Sequence, residues 1–183
     1  MQEKDIIEAL WEDYQRERRR RLDKKAFGIL LRVFPSVMVA QADGFTDTSE
    51  MQRLYEIVAF LCQQEHIPIE SLDWRAELRY LAIDMDFWRD RFIEALKSFL
   101  QSNPILYREQ AEFLFATAAA STGDIVQNLL LRLRRSEALG EGAVQLISAN
   151  EQKIIEKLTD MLDFASQPEA LSYLRSLLEK AHG

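Results

Sequence analysis

The chain has 183 residues, 48% hydrophobic and 29% charged, with one cysteine, six glycines and four prolines. That length suits one domain burying roughly 70% of its unfolded surface without disulfides or metal, and the lone Cys62 excludes an internal disulfide framework and a multi-cysteine zinc site. The net charge of −7 opposes wholesale binding to a phosphate backbone, and so few Gly and Pro exclude a many-stranded barrel or sandwich.

Helical periodicity runs through the chain. Ile6, Ile7, Leu10, Trp11 and Tyr14 follow the i, i+3, i+4 spacing of an amphipathic helix that continues into the charged segment Arg16 to Lys25. Lys25 to Gln41 is apolar on nearly every side and predicts a central helix, with Pro35 bending or breaking it because proline lacks the interior donor. Gly44 supplies a left-handed C-cap region.

The next helix is predicted from Asp47 or Thr48 to Glu65 or His66, with Asp47 and Glu50 as a capping box and Met51, Leu54, Tyr55, Val58, Leu61 and Cys62 as its apolar face. Ser71 to Leu81 reads as a shorter helix. Asp86 opens another that places Phe87, Trp88, Phe92, Ala95, Leu96 and Phe99 inside. Asn103-Pro104 predicts a cap followed by proline at the first helical position, leading to Ala120. After Gly123 come a helix over Ile125 to Arg135 and a loop over Ser136 to Ile147. Ser148 and Glu151 form a second capping box, and Ser166-Gln167-Pro168 starts a final helix. The prediction is an all-α, single-domain bundle of about seven to nine helices.

The stretch Val37-Met38-Val39-Ala40-Gln41-Ala42-Asp43-Gly44, followed by Glu50 in an apolar helix, resembles the TerB-like family of tellurite-resistance proteins. Ala40, Ala42, Asp43, Gly44 and Glu50 carry the resemblance, which spans residues 37 to about 61. A second, degenerate copy ends at Gly123, with Thr122 where Asp would stand and Leu129 in place of the later Glu. The resemblance implies a non-enzymatic, all-α module of bacterial stress-response or tellurite-resistance systems that senses metal or connects protein partners near the membrane.

Asp43, Asp47 and Glu50 gather at one predicted helix junction. Capping explains them through the amides and dipole of a helix start, and a hard cation such as Ca²⁺ or Mg²⁺ is the other reading, with Asp43, Asp47 and Glu50 as its ligands. An EF-hand is excluded by register, because counting from Asp43 puts Phe45 third and Leu54 twelfth. Asp84 and Asp86 are further acidic groups whose distance from this junction the sequence leaves open.

Cys62 and His66 are four residues apart, the spacing of a thiolate nucleophile with its base in an enzyme with a pocket inside the bundle. The competing account makes Cys62 a buried hydrophobe and His66 a helix-end cation. The basic run Arg16-Glu17-Arg18-Arg19-Arg20-Arg21 reads first as a solvated helix surface with Glu12–Arg16 and Glu17–Arg21 pairs, and second as an electrostatic docking patch. Trp11 and Trp74 are interface candidates if exposed.

These readings lead to a partner-binding protein without enzymatic activity or sequence-specific nucleic-acid recognition. Its charged first residues contain no secretory core, and the apolar-rich stretch 26–42 carries Arg32 and Pro35 and falls short of the roughly 20 residues of a membrane span, so a cytoplasmic location, with peripheral association at the inner face of the membrane, is expected. A ligand-free structural adaptor is the alternative to metal binding.

Overall fold

The computed structural model of the chain describes residues 3–42, 44, 48–118 and 147–182. Eight α-helices lie among them: α1 (Glu3–Arg18), α2 (Lys24–Gln41), α3 (Thr48–Glu65), α4 (Trp74–Ile83), α5 (Met85–Ser102), α6 (Leu106–Ala118), α7 (Ala149–Met161) and α8 (Pro168–His182). Two 3₁₀ turns, Ile69–Ser71 and Phe164–Ser166, join α3 to α4 and α7 to α8, and no strand occurs among the described residues. The all-α bundle expected from periodicity is the fold observed.

Helix α2 is the axis of the bundle. Buried residues run almost without interruption from Ala26 to Ala40, far more than the single stripe an amphipathic helix covers. Helices α3, α4, α5, α6 and α7 surround it, α1 lies along α5, and α8 closes over α6. A fully apolar helix is stable only when neighbours cover it on every side, so the composition of α2 dictates the arrangement of the others.

Aromatic side chains weld α1, α2, α4 and α5. Phe34 and Phe92 have ring centroids 4.8 Å apart, Tyr14 and Trp88 5.3 Å, and Tyr14 and Phe27 5.5 Å, all in tilted rather than face-to-face geometry. Such pairs contribute about 0.5–1.5 kcal/mol each beyond their area burial. The indoles are satisfied within this frame. Nε1 of Trp11 donates to the Leu22 carbonyl, that of Trp74 to the Ile69 carbonyl, and that of Trp88 to the Tyr80 hydroxyl, each at 2.9 Å. Trp74 is buried and Trp11 packs against the core, so neither is an exposed anchor.

Several boundaries differ from the sequence reading. Pro35 does not break α2, which is helical from Lys24 to Gln41; the packed neighbours outweigh the one hydrogen bond lost at the Leu31 carbonyl. Helix α1 ends at Arg18 instead of running on. Arg19 turns left-handed (φ 53°), and the amide of Arg20 donates to the Gln15 carbonyl at 3.3 Å, the six-residue closure of a Schellman motif. Helix α4 starts at Trp74 because Asp73, not Ser71, caps it, accepting from the Ala76 amide at 3.2 Å. Asn103 serves the helix before it: its Nδ2 donates to the Phe99 carbonyl at 2.8 Å, and residues 103–105 form a turn ahead of Leu106. The capping box at Ser148 and Glu151 is present with both reciprocal bonds. Residues 119–146, which include the predicted helix over Ile125 to Arg135, the second motif copy and most of the loop before Ile147, lie outside the described residues.

Candidate functional site

Gly44, after α2, has the backbone expected of it. It has φ 86°, a left-handed conformation that costs glycine little, and its amide donates to the Gln41 carbonyl at 3.0 Å. Helix α3 then begins at Thr48. Of the three carboxylates predicted for this junction, Glu50 is buried in the first turn of α3, while Asp43 and Asp47 lie outside the described residues. Among the described residues no group of three His, Cys, Asp or Glu side chains is placed to hold a metal ion.

Cys62 and His66 are set apart by their surroundings. Cys62 is 2% exposed on the apolar face of α3, and burial pushes its thiol up to about 11, the wrong direction for a thiolate at neutral pH. His66 is exposed with φ 58°, and the Ile67 amide closes on the Cys62 carbonyl at 2.9 Å. His66 therefore occupies the left-handed C′ position of α3, a role in helix termination.

The basic run is largely spoken for. Glu77 on α4 is fully buried and collects three partners: Oη of Tyr14 donates at 2.5 Å, Arg18 bridges both carboxylate oxygens at 3.0 Å, and Arg20 reaches Oε1 at 2.8 Å. The guanidinium of Arg18 also lies 3.9 Å from the centroid of the Tyr80 ring, a desolvated cation–π contact. Burial, and next the Glu77 charge, hold the Tyr14 hydroxyl far above its usual range. Arg16 pairs with Asp13 at 2.9 Å, three residues back rather than with Glu12, and Arg21 lies beyond the end of α1, out of helical register with Glu17.

A second buried charge cluster sits beside α2. Arg32 donates to Glu109 of α6 and, at 3.3 Å, to Glu65 at the end of α3; Gln110 donates to the Arg32 carbonyl at 2.8 Å. Desolvation raises the Glu109 carboxyl above the usual carboxylate range against the lowering effect of Arg32. Sequence reasoning passed over both clusters, although each left a mark. Glu77 falls on the apolar face of α4 with Trp74, Leu78 and Leu81, and Arg32 interrupts an otherwise apolar helix.

The surface feature the sequence reading missed is the α4–α5 corner. Ile83, the last residue of α4, is 82% exposed, and Phe87, in the first turn of α5, is 61% exposed rather than inside as predicted. Phe87 is propped edge-to-face against buried Trp88, centroids 4.8 Å apart. Trp88 takes the core-facing position one residue later, which turns Phe87 outward. Asp84, Asp86 and Asp90 are exposed around the pair, with Arg89 bound to Asp86 at 3.1 Å. Ile105, 85% exposed, occupies the turn between α5 and α6.

Comparison with protein-family models, with curated proteins and with solved structures yields no match. No described helix is long and apolar enough to cross a membrane.

Proposed function

We propose that the chain is a non-enzymatic helical module that docks a protein partner on the α4–α5 corner. The observation that carries this reading is the exposure of Ile83 and Phe87, four positions apart across one helix junction. Exposed apolar side chains rimmed by polar groups mark association sites when they cluster, and burying one on a partner yields about 1.5–3 kcal/mol. Three exposed aspartates against one arginine give the patch an acidic rim, so the matching surface is apolar with a basic border.

Photo-crosslinking in the native cell tests this. A photoreactive amino acid at position 87 is expected to yield discrete protein adducts that one at position 52, on the exposed face of α3, does not, and to lose them when Ile83 is changed to Ser. No adduct at 87, or the same adducts from both positions, contradicts the docking surface.

The resemblance to TerB-like proteins, a role in bacterial stress response or tellurite resistance, and a cytoplasmic or membrane-peripheral setting belong to the same proposal. The cation reading is its accessory part: Asp43, Asp47 and Glu50 would hold Ca²⁺ or Mg²⁺ at the α2–α3 corner. The left-handed Gly44 and the placement of Glu50 in the first turn of α3 support it. Calorimetric titration with Ca²⁺ and Mg²⁺ is expected to give heat with the wild type and none with Asp43→Ala; no heat with either protein removes the cation from the account.

A further inference from the structure

A cavity of about 190 Å³ opens where α1, α3 and α5 meet the first two turns of α2. Its walls are apolar: Ile7, Ile29, Leu31 and Phe99 surround Gly28. Gly28 is in the interior of a helix, where glycine costs about 1 kcal/mol relative to alanine. The packing does not ask for it. A Cβ built at Gly28 meets no atom of a neighbouring element within 4 Å among the described residues, so no close approach there requires the missing side chain. What a side chain there would occupy is the cavity itself.

The polar side of the cavity is mostly cationic. Lys24, Lys25 and Arg32 line it against the single carboxylate of Glu65. Lys24 is held by Glu8, whereas Lys25 has no carboxylate within ion-pair distance among the described residues. Arg32 is buried, and two of its guanidinium nitrogens are engaged by Glu65 and Glu109, so its positive charge reaches the cavity from the rim while Lys25 is the cation left to meet a ligand.

We propose that this cavity is a binding site for a small organic acid with an apolar body and one carboxylate. The apolar body lies against Ile29, Leu31 and Phe99 over Gly28, and the carboxylate meets Lys25 and Arg32. The volume sets the size. It equals roughly six waters at about 30 Å³ each and falls below the ~300 Å³ of drug-sized pockets, so a short acyl chain fits and a nucleotide does not. The site is separate from the α4–α5 corner, and either can fail without the other.

The experiment titrates the protein with hexanoate, following the Gly28 amide by NMR, with hexanol as the neutral control. Saturable binding is expected, with hexanol and the Lys25→Met variant each weaker by at least about tenfold. Gly28→Leu, which fills the cavity, is expected to abolish binding while keeping the wild-type circular dichroism. Absence of saturable binding, undiminished binding in a folded Gly28→Leu protein, or equal binding of hexanol and hexanoate overturns the proposal. If Gly28→Leu does not fold, the Lys25→Met and hexanol comparisons decide it.

Discussion

Glu109 shows how much one buried carboxyl can shape this protein. Desolvation lifts its pKa while Arg32 pulls it down, and the net direction is upward. A carboxyl that binds its proton more tightly in the folded chain than in the unfolded one makes folding take up a proton. Its contribution to stability is therefore complete below the unfolded carboxyl pKa and is lost as pH rises through the folded one. Glu109→Gln keeps an acceptor for Arg32 and removes the titration. Urea denaturation should show the wild type losing stability relative to Glu109→Gln as pH rises above the ordinary Glu range of about 4.3. A wild-type stability that, relative to Glu109→Gln, stays flat or rises with pH contradicts this assignment.

At the scale of elements, Glu77 ties the end of α1 and its following loop to α4 through Tyr14, Arg18 and Arg20. Removing it strands a buried hydroxyl and two guanidiniums. Glu77→Ala should cost about 3 kcal/mol or more in equilibrium unfolding, whereas Arg16→Ala, which breaks only an exposed pair with Asp13, should stay within about 0.5 kcal/mol. Similar small costs for both would return the basic run to the solvated surface that its composition suggests. Periodicity made the helices readable because apolar spacing is a local property. Helix α2 was legible as central from its own residues, and the capping box at Ser148 and Glu151 is formed as written. The misreadings came from competition between local signals: Asn103 could cap either neighbour and caps α5, and Arg19 closes α1 in a conformation expected of glycine. Glu77 and Arg32 were not legible as partners of Arg18 and Glu109, because those pairs span 59 and 77 positions of sequence.

For the whole molecule, burial of α2 from every side organises the bundle, and the remaining surface question is what the bundle leaves uncovered. The left-handed corner at Gly44 was legible from the motif around it, because few residues other than glycine tolerate that turn. The α4–α5 patch was not, because helical spacing alone cannot decide between Phe87 and Trp88 for the inward position; the Trp88–Tyr80 hydrogen bond and the aromatic cluster decide it.

The central claim is that Ile83 and Phe87 form a protein-docking surface. It is tested most directly by comparing crosslinked adducts from position 87 in two otherwise identical proteins, one carrying Ile83 and one carrying Ile83→Ser. Because Ile83 is exposed, the substitution should change unfolding free energy by no more than about 0.5 kcal/mol. The account predicts equal stability and loss of the adducts in the Ser variant; equal stability with the adducts retained would contradict it.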